Sequence, residues 1–294
     1  MRIKILSLLA VLFLAVPATG HASEHAFDVS VFGKGRPFFM IPGLTATMEE
    51  WDDAANRYGV QFQVHRFTLA GFGGVKPVSG PFVERSVAAI KAYAEKNDIH
   101  DAIVMGHSVG GIIALKLAAE APKRFTTVIV VDILPFLGGA SFGAKDAAQA
   151  AQITDQFKAQ MKAMTPQAFQ AQQKAQIPSE VAGSANIDML GRWAETSDIS
   201  TIIEATCELY ASDYRPLLPK VTAPTLVVYG WNPGSNVPAQ TVDRLYAAQY
   251  AGLPQKTLDR IDNSHHFVML DQRTAFFRAV DDFLSRPVQL GAAH

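Results

Sequence analysis

The stretch Gly106-His107-Ser108-Val109-Gly110-Gly111 is the part of this chain best suited to carry chemistry. It fits the pattern G-x-S-x-G, with the apolar run Ala102 to Met105 before it and the helix-forming run Ile112 to Glu120 after it. A serine held on a sharp turn from strand to helix has a strained backbone and crowded flanks, so its neighbours two residues away must be small. Gly106 and Gly110 meet that need. The start of the helix then brings backbone N–H groups and the positive end of a dipole beside the hydroxyl. Such a serine can attack an acyl carbon once a base removes its proton.

That base is sought among eight histidines, two of them in the first residues or at the extreme C-terminus. Asn263-Ser264-His265-His266-Phe267-Val268-Met269-Leu270 offers two adjacent candidates in a loop between a strand and the last helix. A serine on an elbow followed much later by a histidine in such a loop is a known chain order for a nucleophile and its base. His107, inside the elbow, is better placed to pack or hydrogen-bond beside the site than to act as base.

The elements that must position these groups are readable from hydropathic periodicity. Phe27 to Phe32 alternates as a strand, the turn Gly33-Lys34-Gly35-Arg36-Pro37 follows, and Phe38 to Ile41 is a second strand. Gln61 to Leu69 reads as a strand that ends in the loop Ala70-Gly71-Phe72-Gly73-Gly74, and Glu84 to Asn97 has helical spacing. Ala102 to Met105 and Thr127 to Val131 are short and almost wholly apolar, the pattern of strands buried on both faces of a parallel sheet. Beyond Pro135 the chain turns Ala-, Gln-, Lys- and Met-rich and stays helical to about Leu218. Pro224 to Tyr229 and Lys256 to Ile261 restore the strand pattern, and Thr274 to Leu284 closes as an amphipathic helix. Strands alternating with helices make an α/β layer fold, interrupted by an all-helical insertion.

With these residues in place the chain resembles the α/β-hydrolase superfamily, in its lidded esterase and epoxide-hydrolase-like form. The resemblance runs from about Phe27 to Leu284. It includes the G-x-G-x-P turn, Pro42-Gly43-Leu44, Ala70-Gly71-Phe72-Gly73, the Ser108 elbow, Pro224-Thr225-Leu226-Val227-Val228 and His266-Phe267-Val268. It implies a mostly parallel central sheet with helices on both faces and a helical cap inserted after the strand that ends near Asp132. The core is then 23–134 and 219–294, and the cap 135–218. The resemblance also selects His266 over His265 as base, because the family's histidine is followed by an aromatic or apolar residue. It assigns the backbone N–H groups of Leu44 and Val109 to an oxyanion hole, although Pro42 stands where the family usually has His.

The acid that should orient the imidazole is not where the resemblance first places it. Most relatives have Asp in a Gly-x-x-Asp pattern after the strand that matches Pro224 to Tyr229, and here the residues are Gly230-Trp231-Asn232-Pro233. A second arrangement in the family uses a residue one strand earlier, where this chain has Val130-Val131-Asp132-Ile133-Leu134-Pro135. Asp132 is the sole charge in that apolar run, at the carboxyl end of a strand where α/β sheets build their sites. A buried carboxylate needs a partner, and a protonated His266 would be one. The competing role for Asp132 is to cap the chain as it leaves the sheet. Asp262 and Asp243 are the reserves, while Asp271 suits a structural role at the start of the last helix.

Chain-wide properties narrow the classes. With 294 residues, 49% hydrophobic and 18% charged, the chain has ordinary globular composition and ample length for a large core. Residues 1–22 combine a basic start (Arg2, Lys4), an apolar run from Ile5 to Val16 and a small-residue end, Gly20-His21-Ala22. That is the pattern of a secretory signal peptide cleaved after Ala22, so a periplasmic or secreted bacterial location is expected, with no membrane insertion after cleavage. Loss of Arg2 and Lys4 takes the formal charge from -1 to -3. No basic block offers a nucleic-acid footprint. Cys207 is the only cysteine, which excludes an internal disulfide and a cysteine metal cage, and it lies in a helical apolar stretch as a small core residue.

The expectation is an exported serine hydrolase, carboxylesterase-like, that cleaves a carboxylic ester, thioester or lactone of a small molecule through an acyl-enzyme on Ser108. Serine at the elbow separates it from the dehalogenase and epoxide-hydrolase branches, whose comparable members use a carboxylate. No metal or organic cofactor is implied. Phe157, Met161, Met164, Phe169 and Trp193 suggest apolar lining of the pocket, but Met and aromatic residues at helical spacing more often pack inside the cap, and the Gly71–Gly74 loop is expected at the entrance. Two rival readings stand beside this one: a peptidase or amidase of the same fold, which would need acidic residues in the cap to bind an amine, and a non-catalytic binding protein.

Overall fold

The computed structural model describes residues 26–286; residues 1–22, expected from sequence to be a signal peptide, lie outside them. Seven strands form one sheet in the order β1-β3-β2-β4-β5-β6-β7. These are β1 (Phe27–Phe32), β2 (Pro37–Ile41), β3 (Gln63–Leu69), β4 (Ala102–His107), β5 (Phe125–Val131), β6 (Thr225–Trp231) and β7 (Lys256–Asp262). Only β1 is antiparallel, paired with β3, and every other pairing is parallel. This is the α/β-hydrolase architecture that the resemblance implied.

Alternation of side chains along each strand divides the core into two layers. In β2, Phe39 and Ile41 join one apolar cluster with α2 (Phe82–Lys96) and α3 (Val109–Glu120), while Phe38 and Met40 join another with α1 (Asp52–Tyr58). The second cluster also takes in Phe276, Val280 and Phe283 of the last helix, Arg273–Leu284. The central strands β4 and β5 are buried along nearly their whole length, which is why their sequences show no polar alternation.

Between β5 and β6 the chain forms five helices: α4 (Leu137–Phe142), α5 (Ala147–Ala163), α6 (Pro166–Glu180), α7 (Ser184–Glu195) and α8 (Ile199–Ala211). Three of them start on a side-chain cap, in which Asp146, Thr165 and Asp198 each accept a backbone N–H of the first turn. After β6 come α9 (Ala239–Gln249), α10 (Val268–Asp271) and α11 (Arg273–Leu284). Helices α1 and α9 are not marked by the apolar pattern, because both are short and carry charged or amide side chains between their few buried positions.

Two strand ends differ from the sequence reading in ways that bear on the site. β4 continues past Met105 to His107, which pairs with Val131, and β6 continues past Tyr229 to Trp231, which pairs with Asp262. Sheet hydrogen bonding therefore reaches the residue before Ser108, and it takes Gly230 and Trp231 into a strand.

Candidate active site

The chain runs from β2 to β3 on one side of the sheet and then crosses to β4 on the other. A crevice opens at the carboxyl ends of adjacent strands where the order reverses in this way. Leu44 follows β2 and Ser108 follows β4, so the two meet there. Thr45, Ser108, Asp132 and Asn263 all have positive φ, and each lies just beyond the end of β2, β4, β5 or β7. Non-glycine residues rarely adopt this conformation, and its concentration at one rim of the sheet marks the place where packing overrides local preference.

Ser108 has φ 51° and ψ -123° and precedes α3 without using its side chain as a cap. Its N–H donates to Val131 O at 2.9 Å, and Gly111 N–H donates to its carbonyl at 2.8 Å. These bonds hold the backbone and leave Oγ uncommitted. The glycines around it are obligatory. A Cβ on Gly106 would lie 2.0 Å from Gly110 O, and one on Gly110 would lie 2.4 Å from Ile41 O.

His266 Nδ1 is 2.7 Å from Asp132 Oδ2. Asp132 Oδ1 accepts the Gly230 N–H at 3.0 Å and the Tyr246 hydroxyl at 2.9 Å. Three donors on one carboxylate satisfy a group that is costly to bury as an anion. Burial pushes the Tyr246 phenol far above its ordinary range, with the Asp132 charge adding to the effect, so Tyr246 remains a donor. With its Nδ1–H donated to Asp132, His266 has Nε2 as the free lone pair, a tautomer assigned from the network. Burial lowers the affinity of this imidazole for a proton. The Asp132 hydrogen bond and charge, joined by Glu180 and Glu50, outweigh that and push its pKa up to about 8. Ser108 and His266 line the same cavity. No hydrogen bond joins them in this structure, and such contacts commonly tighten only around substrate.

His265 is committed elsewhere. Its Nδ1 lies 2.7 Å from Asp271 Oδ2, and its Nε2 lies 2.7 Å from the Asn232 amide nitrogen. Asn232 Oδ1 accepts Gly234 N–H, which fixes the amide orientation. Asp271 also accepts the N–H groups of His265 and Ala182, tying the loop to the α6–α7 junction. Of the reserve acids, Asp243 accepts from Tyr229 and Arg260 and Asp262 pairs with Arg260, so neither serves His266.

A second buried pair underlies the site: His107 lies beside it as the sequence suggested, and its partner Glu50 was missed. Glu50 Oε2 accepts the Gly43 N–H at 2.8 Å, and Glu50 Oε1 lies 2.7 Å from His107 Nδ1, with both side chains fully buried. The Glu50–His107 contact is close in distance but not aligned as a hydrogen bond. His107 Nε2 is 3.2 Å from His266 O, and its ring packs on that of His266 at 4.5 Å between centroids. Glu50 sits on a short helical turn beside Trp51, where no local pattern distinguishes it from a surface acid. Tyr246 was missed for the same reason.

Among the described residues the N–H groups of Leu44 and Val109 make no hydrogen bond to protein. Leu44 and Ser108 line the cavity, and Val109 opens α3. Two free donors flanking a nucleophile are what an oxyanion requires.

The cavity holds about 450 Å³. Ser108, His266 and Asp132 form its floor, and α6, α7 and α8 form its roof through residues such as Ile177, Glu180, Leu190, Leu209 and Tyr210. None of Phe157, Met161, Met164, Phe169 and Trp193 is among these, in keeping with the packing role favoured from their helical spacing. Phe169 and Trp193 are buried in core clusters, Met161 and Met164 pack against the core, and Phe157 is 44% exposed and stacks on Phe142. Their spacing reflected helix packing. The Gly71–Gly74 loop likewise does not line the cavity. Its backbone bonds to the α7–α8 junction, with Asp198 N–H donating to Gly71 O and Gly74 N–H donating to Thr196 O. Among the described residues no three His, Cys, Asp or Glu side chains are grouped to hold a metal ion, and no helix is long and apolar enough to cross a membrane. Cys207 is buried, consistent with a core role.

The family model described as "Alpha/beta hydrolase family" matches residues 38–279. The chain is 24% identical over 260 residues to an N-formylmaleamate deformylase of Pseudomonas putida, spanning 87% of this chain and 91% of that protein. It is 25% identical over 275 residues to 3-oxoadipate enol-lactonase 2 of Acinetobacter baylyi, spanning 90% and 95%. The enol-lactonase structure from Burkholderia xenovorans superposes with a TM-score of 0.71 at 19% identity, over 88% of this chain and 96% of that one, a likeness of fold.

Proposed function

Since the chain belongs to the alpha/beta hydrolase family, we propose that it is a serine hydrolase that cleaves a carboxylic ester, thioester or lactone of a small molecule through an acyl-enzyme on Ser108. The observation that carries this reading is the Asp132–His266 hydrogen bond at 2.7 Å, which leaves the other imidazole nitrogen free in the cavity that Ser108 lines.

Ser108 Oγ forms a bond to the acyl carbon while His266 Nε2 takes its proton, and the carbonyl electron pair moves onto oxygen. The N–H groups of Leu44 and Val109 receive that oxyanion. Each donor of this kind contributes about 3–4 kcal/mol to transition-state stabilisation. Asp132 stabilises the imidazolium without taking its proton. Collapse breaks the bond to the leaving oxygen or sulfur, which receives the proton from His266. Water then repeats the sequence on the acyl-enzyme. Helices α4–α8 act as a lid that screens this exchange from bulk solvent. Export on residues 1–22 is part of the same proposal, and cell fractionation tests it.

A fluorophosphonate probe reacts with an activated serine and not with a spectator. Labelling of the intact chain, lost in Ser108→Ala, together with turnover of p-nitrophenyl esters in preference to amino-acid anilides, is the expected result. No labelling would favour the binding-protein reading, and preference for anilides would favour the amidase.

A further inference from the structure

The charges around the cavity are one-sided. Among the described residues that line it there are two carboxylates, Asp132 and Glu180, and no Lys or Arg. Asp132 is fully engaged by His266, Gly230 and Tyr246. Glu180 is not. Its carboxylate has no hydrogen bond or ion pair among the described residues, while its carbonyl accepts the Phe267 N–H at 3.1 Å and so fixes the end of α6 against the His266 loop. The position is electrostatically poor for an acid, because the carbonyls at a helix C-terminus carry partial negative charge. The lysines of α5 and α6 that pair do so on other acids, Lys158 and Lys162 with Glu204 and Lys174 with Glu195. The charge of Glu180 is also felt inside the cavity, where it adds to the upward push on both His266 and Tyr210. An unpaired carboxylate in an otherwise mixed polar and apolar pocket has ligand charge as its natural complement. Tyr210, which feels the charge of Glu180, lines the same cavity.

We propose that the substrate carries an ammonium group, primary or quaternary, that Glu180 receives, and that a substrate bearing a second carboxylate is repelled. This rests on the reading of Ser108 as nucleophile.

The test uses isosteric pairs on the intact chain. On the leaving-group side, butyrylthiocholine is compared with S-(3,3-dimethylbutyl) thiobutyrate. On the acyl side, the p-nitrophenyl ester of 4-(trimethylammonio)butyrate is compared with that of 5,5-dimethylhexanoate, and the glutarate monoester serves as the anion. The wild type should favour the cation in one pair by about tenfold or more in kcat/KM, mostly through KM, the scale of a partly desolvated charge pair. Glu180→Gln should bring that ratio near one, and Glu180→Lys should turn the preference toward the glutarate ester. Calorimetric binding of butyrylcholine to Ser108→Ala, with and without Glu180→Gln, reads recognition apart from turnover. Esters turned over with no cation preference, or a preference that survives Glu180→Gln, would overturn the inference and leave the hydrolase reading standing. Glu180-dependent binding of the choline ester without turnover of any ester by the wild type would do the reverse.

Discussion

Gly230 donates its backbone N–H to Asp132 Oδ1 at 3.0 Å. Gly230 opens the segment in which relatives usually carry the acid, so here that segment supports a carboxylate supplied by the neighbouring strand. Asp132 can take that place because β5 and β6 are adjacent and parallel, so the end of β5 lies beside Gly230. Gly230 also has no room for a side chain, since a Cβ would lie 2.5 Å from His265 O.

Asp132→Asn should lower kcat for ester hydrolysis by roughly 10³–10⁴, because an amide leaves the imidazole in the wrong tautomer and the imidazolium unstabilised. The fold should survive, since the asparagine oxygen can still accept from Gly230 and Tyr246. Adding Asn232→Asp should restore less than about tenfold, because Asn232 faces His265 at 2.7 Å. Steady-state kinetics of the single and double variants decide this, and near-wild-type rates in Asp132→Asn would remove it from the triad.

The pH dependence follows from His266. Its pKa is pushed up to about 8, and in the proposed reaction His266 must be neutral to accept the Ser108 proton, so kcat/KM should rise with pH through about 8 and level off above it. The linkage to stability has the opposite slope. The folded pKa lies above the ordinary 6.5, so the contribution of protonated His266 is full below about 6.5 and is lost as pH rises through about 8. Rate profiles and thermal midpoints measured over pH 6 to 9 should therefore move in opposite directions as far as this group governs both.

Glu50→Ala strips the Gly43 N–H of its acceptor and leaves His107 Nδ1 buried beside a void. A loss of about 1–3 kcal/mol is expected from leaving the buried Gly43 N–H without its acceptor, measured by denaturant unfolding. Because Gly43 precedes Leu44, and His107 Nε2 lies against His266 O, kcat should fall more than KM changes. A purely structural role would lower stability and leave kcat intact.

Two glycines should respond in opposite ways to alanine. Gly106→Ala drives a methyl into Gly110 O at 2.0 Å, so the start of α3 must move and fluorophosphonate labelling should be lost. Gly191 lies inside α7 with nothing within 4 Å of an added Cβ. Gly191→Ala should add about 0.5–1 kcal/mol of stability by restricting the unfolded chain, seen as a small rise in thermal midpoint.

The strands, the elbow and the loop carrying the histidines were legible because each is written in contiguous residues. Apolar runs of β4 and β5, the glycines around Ser108, and the spacing of α2 follow from local sterics and periodicity. The same logic left Phe157, Met161, Met164, Phe169 and Trp193 between packing and cavity lining, with packing favoured, because helical spacing shows that a residue faces inward without showing which interior it meets. Glu50, Tyr246 and Glu180 left no trace, since an acid or phenol in a helix looks the same whether it meets solvent, a cavity or a buried partner.

By itself the amino-acid sequence determined the layer fold, the strained turn that carries Ser108 and the short set of histidines and acids from which a triad could be built. Tertiary structure alone decided which of them meet. His265 and His266 are adjacent in sequence, yet they point to Asp271 and Asp132, because register at the end of β7 and the packing of His107 set the direction of each ring. Asp132 reaches His266 across 134 positions of chain, a contact made by the parallel order of β5, β6 and β7 and by no local preference.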